Sequence, residues 1–240
     1  RSRGLGDVYK RQTLYRDYQL PTINYKIHEV SPYINWIYFF HAWGFQPKFA
    51  AIADIHGCDS CRAMWLTGFT EEDRPKASEA MQLFKEANRM LNQLDAVYQT
   101  HGVVNIMDAN ADGDDLLLNG KRFPLLRQQA AKLKKDDPFL CLSDFVRPLS
   151  SGITDKIGAF ATTVDAEMEQ LYAEDDYKRM LAQTLSDRLA EATAEKLHED
   201  VRKKLWGYAP DENLSVKDLH NEKYQGIRPA VGYPSLPCLL

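Results

Sequence analysis

The chain has 240 residues, 44% of them apolar and 27% charged, an ordinary globular balance with length enough for one large domain or two small ones. A formal net charge of −4 without a basic arm argues against a nucleic-acid partner, and apolar runs such as 34–40 fall far short of the roughly 20 residues of a bilayer span. Four cysteines in a chain this long make no disulfide framework, and with no visible signal peptide a reducing, cytoplasmic setting is expected. Both ends stand apart. RSRGLGDVYKRQ (1–12) has no apolar period and resembles translated sequencing-adaptor readthrough, and Cys238-Leu239-Leu240 reads as a similar scar. The domain is therefore expected over 13–237, as a fragment truncated at its C-terminus. YINWIYFFHAWGF (33–45) is dense in aromatics and reads as a buried short helix or strand carrying a polar residue at Asn35. Met81, Phe84, Ala87, Leu91 and Leu94 recur at spacings of 3, 3, 4 and 3, which predicts a helix over 76–99. HGVVNIM (101–107) and 115–118 read as strands around the turn ANADGD. FLCLSDFV (139–146) and IGAFATTV (157–164) are strand-like, with the loop RPLSSGITD between them. The longest helix is predicted over 167–206, closed by Gly207. Helices and hairpin-linked strands in mixed order predict an α+β fold rather than a βαβ repeat.

Three stretches carry candidate chemistry. Asp108, Asn110, Asp112 and Gly113 match the first half of a calcium loop, but the twelfth position holds Asn119 where a bidentate carboxylate is needed, so an ordinary tight turn is expected. His56, Cys58 and Cys61 form H-x-C-x-x-C, which could grip zinc. No second pair completes four ligands, since Cys141 stands alone, so reduced structural thiols and no metal are expected. On the long helix, Asp187 and Glu191 share a face at a spacing of four, with His198 and Arg202 continuing along it. That reads either as a solvated face or as a seat for a cationic group.

YQGIRPAVGYPSLP (224–237) holds one Arg, two Gly and three Pro in fourteen residues, too irregular for a helix or strand and stiff enough to hold backbone groups at fixed points. Arg228 suits a carboxylate through paired hydrogen bonds, and the 229–232 backbone could face a flat heterocycle. Glu222 adds a negative group. S-Adenosylmethionine is a ligand that would use all of these.

Preceded by SDRLAEATAEKLHEDVRKKLWGYAPDENLS, this loop closely resembles the C-terminal activation domain of cobalamin-dependent methionine synthase, including its R-x-x-x-G-Y signature as Arg228, Gly232 and Tyr233. YINWIYFFHAW, GVVNIMDANADGDD and DFVRPLSSGITDKIGAFATT extend the likeness over nearly all of 14–237. The resemblance implies a helmet-shaped α+β fold with a twisted antiparallel sheet flanked by long helices. It implies a domain that binds S-adenosylmethionine and caps the cobalamin-binding domain of the same enzyme. There, inactive cob(II)alamin is reductively methylated with an electron from flavodoxin or a flavoprotein reductase. Arg228, Ala230 and Gly232 would contact the ligand, Tyr233 would lie near the cobalamin face as the catalytic candidate, and Asn35, Glu222, Asp187 and Glu191 fall on positions of the family's ligand pattern. Asn35 departs from it, because the family often carries an acid there for the ligand's amino group. A module that docks on a cobalamin or flavodoxin-like partner without binding S-adenosylmethionine is the alternative.

Overall fold

The computed structural model describes residues 20–129 and 138–231, so the segments read as readthrough and scar lie outside the described residues. In chain order the elements are β1 (Thr22–Lys26), α1 (Ile27–Val30), α2 (Trp36–Ala42), α3 (Asp59–Thr67), α4 (Arg74–Asp95), β2 (Gln99–Asp112), β3 (Asp115–Leu118), β4 (Lys121–Pro124), β5 (Asp155–Val164), α5 (Asp176–Asp200) and α6 (Val216–His220). The chain divides into two units. The larger comprises 22–103 and 161–224, the smaller 104–160 with the two ends of the chain. β2 and its partner β5 run through both.

In the larger unit, β1 pairs antiparallel with the first part of β2, with Thr22 opposite Val103 and Lys26 opposite Gln99. Helix α4 buries Ala77, Ala80, Leu83, Ala87, Met90, Leu91 and Leu94, a stripe at helical spacing. The predicted stripe rides the edge of this one, since Met81 and Phe84 are only half-buried. Phe84 meets Trp36 edge to face, with centroids 4.7 Å apart. α4 and α5 pack on each other, and α1 packs on both. Within the aromatic segment 33–45, Trp36–Ala42 form a helix for a local reason: Asn35 is its N-cap, and its side chain accepts the Ile37 N–H at 3.2 Å.

The smaller unit continues β2 through an antiparallel meander with β3 and β4. Gly113 and Asp114 form the β2–β3 turn, with Gly113 at φ +62°. Leu116, Leu125 and Cys141 are its buried centre, flanked by Leu118, Phe123 and Ile157. The α+β expectation with an antiparallel sheet therefore holds.

Two element assignments need correction. Segment 139–146 is not a strand, because Leu142–Phe145 form a 3₁₀ turn. The Asp144 carboxylate accepts the Cys141 N–H at 2.8 Å and takes the Arg127 fork, which holds its pKa down at about 2. A residue that bonds its own backbone competes with a sheet ladder. The helix expected over 167–206 is also broken. Ala166–Gln170 are 3₁₀, Tyr172 takes φ +61°, and α5 starts only after Asp175 caps it by accepting the Lys178 N–H at 3.0 Å. Its far end closes at Gly207, at φ +75°, as expected.

α5 lies against the strands of the larger unit, where the Thr162 hydroxyl donates to the Ala190 carbonyl at 3.0 Å. Gly102 permits this approach, because a Cβ built there would sit 2.8 Å from Leu197 Cδ2, and Leu197 is fully buried. Gly102→Val is expected to lose about 1–3 kcal/mol through overpacking, measured as a lower urea midpoint at an unchanged m-value.

Candidate functional site

The last turns of α5 and the segment after it form a polar cluster around a buried guanidinium. α5 passes into a π turn, Val201–Leu205, in which the Trp206 N–H reaches the Val201 carbonyl at 2.9 Å. Arg202 on that turn is fully buried. Its Nε and Nη2 donate to Glu212 at 2.6–3.1 Å, and its Nη1 donates to His198 Nδ1 at 2.8 Å. That contact makes Nδ1 an acceptor, so the ring proton of a neutral His198 sits on Nε2. The Tyr224 ring covers the guanidinium at 4.6 Å and meets the His198 ring edge to face. Ala209 N–H donates to the Arg202 carbonyl at 2.9 Å, so WGYAPDE folds back over the turn that carries its partner.

A second set of charges lies beside it. Burial pushes the Asp200 carboxyl up, but hydrogen bonds from Lys196, Lys204 and Tyr25 outweigh it and hold the group below its usual range. Tyr33 donates to Glu199, which also faces Lys203 at 3.4 Å. Burial and Glu199 push the Tyr33 phenol well above its ordinary value. His220, on α6, donates from Nε2 to the Tyr33 carbonyl at 2.9 Å. α6 itself is closed by a reciprocal cap between Ser215 and Asp218.

The loop singled out in the sequence begins inside this cluster, since its first residue is the buried Tyr224. Gly226 stands at φ +96°, a conformation only glycine takes easily. Arg228 is half-buried and Ala230 exposed, whereas Gly232 and Tyr233 lie outside the described residues. Glu222 is exposed at φ +55° in the turn after α6, its N–H donating to the Leu219 carbonyl at 2.9 Å.

Asn35 and the pair Asp187 and Glu191 lie on α2 and α5, which pack against each other. Asp187 and Glu191 are exposed, and Glu191 is paired with Arg188 at 2.8 Å. The expected continuation of their face to His198 and Arg202 is corrected, because both of those are buried. Fifteen residues at 3.6 per turn rotate a position by about 60°, enough to carry it from the solvent face to the core. Glu212 is the residue that sequence reasoning missed, and Arg202 is the one it placed on the wrong face. The available signal was that Arg202 continues a buried stripe through Leu189, Thr193 and His198.

The turn expected over ANADGD is corrected: Asp108, Asn110 and Asp112 lie along β2, and only Gly113 and Asp114 turn. Asp108 pairs with Lys156 at 2.7 Å, and Asp112 pairs with Arg122. The Asn110 amide donates to the carbonyls of Arg147 and Ile153. In the larger unit, a groove of about 690 Å³ is lined by Trp43, Phe45, Lys76, Glu86 and Tyr177 among others, and none of the sequence-predicted site residues lines it. Among the described residues, no helix is long and apolar enough to cross a membrane.

Residues 26–239 match the family model described as vitamin B12 dependent methionine synthase, activation domain. The chain is also similar to a crystal structure of the MetH reactivation domain bound to AdoHcy, at 38% identity with a TM-score of 0.76. That alignment covers 92% of this chain and 67% of the other.

Glu212→Ala is expected to cost about 3–5 kcal/mol, because it leaves a buried cation unpaired. Arg202→Met combined with Glu212→Leu should recover much of that loss in denaturant unfolding. Asp200 has a second, pH-dependent signature. Its folded carboxyl lies below the unfolded value near 4, so its contribution is complete above that pH and is lost as pH falls through the lowered value. Asp200→Asn should flatten the acid limb of the stability profile measured by urea unfolding.

Proposed function

The chain belongs to the vitamin B12 dependent methionine synthase activation domain family, and we propose that it binds S-adenosylmethionine and supports reductive methylation of cob(II)alamin in methionine biosynthesis. The observation that carries the reading is the likeness to a reactivation domain bound to AdoHcy over 92% of this chain. S-Adenosylhomocysteine and S-adenosylmethionine share the carboxylate, the ammonium and the adenosine, and differ by one methyl group and its charge. A site for one therefore has the shape and most of the contacts for the other.

The groups this chain offers fit such a ligand chemically. A half-buried Arg228 suits the carboxylate, because a guanidinium gives two parallel donors and burial strengthens them. Ala230 and Gly232 bring backbone groups to the adenine, as residues without bulk allow close approach. Asp187, Glu191 and Glu222 supply negative charge for the ammonium and sulfonium. Asn35 gives the ammonium a carbonyl oxygen whose other lone pair holds the Ile37 N–H. Tyr233 is the residue assigned to the cobalamin side by the R-x-x-x-G-Y signature. Cobalamin, bound by its own domain of the enzyme, supplies the cobalt that accepts the methyl group, so this chain's part is to hold and orient the donor. The electron comes from flavodoxin or a flavoprotein reductase, in the cytoplasm.

Titration calorimetry and a cobalamin remethylation assay on the full-length enzyme test the reading. Arg228→Ala should lower S-adenosylmethionine affinity about tenfold to a hundredfold. Asn35→Asp should keep the α2 cap, since aspartate caps as well as asparagine, and tighten binding several-fold by adding charge, worth about 1 kcal/mol. Unchanged affinity in Arg228→Ala together with Gly232→Val would make the loop a stiff connector and defeat the reading.

A further inference from the structure

H-x-C-x-x-C lies between the 3₁₀ segment Pro47–Asp54 and helix α3. Cys58 is the N-cap of α3, and its sulfur accepts the Cys61 N–H at 3.4 Å. The Ser60 hydroxyl lies 3.3 Å from the same sulfur. The local fold thus brings both thiols together at a helix start. One ligand atom each from His56, Cys58 and Cys61 lies within 4.8 Å of the others, the one such His/Cys/Asp/Glu group among the described residues.

We propose that His56, Cys58 and Cys61 form a three-ligand site for a soft or borderline divalent cation, with zinc as the ion that its one imidazole and two thiolates suit. Zinc–sulfur bonds of about 2.3 Å and zinc–nitrogen bonds of about 2.0 Å set tetrahedral ligand separations of about 3.5–3.8 Å, so rotamer adjustments of about 1 Å close the set. The expectation of inert thiols rested on counting to four, as a closed structural site requires. A three-ligand site needs no fourth residue, because water fills the open position. The N–H···S bond from Cys61 and the Ser60 hydroxyl orient and stabilise a thiolate at Cys58, the part that neighbouring groups play around bound zinc.

Two surroundings support the assignment. Cys58 and Cys61 are half-buried and His56 is exposed, so an ion has a path in from solvent. Both cysteines are free thiols. A dithiol that cycles to a disulfide is the competing use of the same pair, but it gives His56 no ligand role.

The test uses the intact chain, reduced, stripped with chelator and kept anaerobic, then titrated with zinc against a chromophoric chelator and with cobalt(II) by absorption. One equivalent of zinc should bind, and cobalt should show thiolate charge-transfer bands with tetrahedral d–d bands. Cys58→Ser and Cys61→Ser should each lower zinc affinity by at least about a hundredfold, and His56→Ala by about tenfold or more. Circular dichroism should be unchanged in all three, since none is a core residue. No zinc binding by the reduced protein at micromolar metal overturns the proposal. Binding that survives in the Cys58→Ser, Cys61→Ser double variant does so too, as does cobalt binding without a thiolate band.

Discussion

A guanidinium with no access to water organises the C-terminal third of the larger unit. Arg202 cannot shed its charge, so removing it from solvent is tolerable only if each of its nitrogens finds an acceptor. Glu212 answers two of them, His198 Nδ1 a third, and the Tyr224 ring lies over the face. Each partner comes from a different stretch of chain: α5, the fold-back after Gly207, and the residue at which the loop 224–237 begins. The demand of one cation thereby ties together segments that share no periodicity. An apolar residue at this place would accept many local packings, whereas a buried fork accepts few.

The π turn belongs to the same constraint. Widening the last turn of α5 shifts the phase of Val201–Leu205 relative to the α-helix before it, and Arg202 lies on that widened turn with its guanidinium turned inward. The neighbouring Asp200, also buried, keeps its charge through Lys196, Lys204 and Tyr25 instead. Two acids fewer than fifteen residues apart in sequence, Asp200 and Glu212, thus meet different kinds of cation. One relies on flexible lysines at the rim and the other on a rigid planar fork in the interior.

The candidate ligand residues show how unevenly function can be read along a chain. The loop that carries Arg228, Gly232 and Tyr233 stood out because stiff, irregular sequence and a short signature mark a loop by composition alone, while its part in ligand binding belongs to the proposed function. Asn35 was legible as an oddity among aromatics, and its role as the cap of α2 follows from an ordinary preference of helix starts. Asp187 and Glu191 were found by spacing, but their extension to His198 and Arg202 failed, since a face drawn in steps of four drifts around the helix with every turn. The H-x-C-x-x-C stretch shows what spacing leaves out, because counting ligands along a sequence says nothing about how closely their atoms approach.

Amphipathic spacing over 76–99, strand-like runs over 101–107 and 157–164, and glycine at 207 determined the type and place of α4, β2, β5 and the end of the last long helix, because each is a local preference of the backbone that burial then exploits. Local chemistry misled only where a polar side chain bonded its own backbone, as Asp144 and Asp175 do, since a run of apolar letters conceals such a competitor. The tertiary structure alone decided which polar residues are buried. Glu212 is an unremarkable letter in APDENLS until the fold-back brings it to Arg202, and Tyr224 is one tyrosine among twelve until it covers that guanidinium. Helix and strand signals arise from neighbours a few residues away, whereas the pairing of a buried charge depends on partners 10 and 22 residues distant, whose meeting depends on the packing of everything between them.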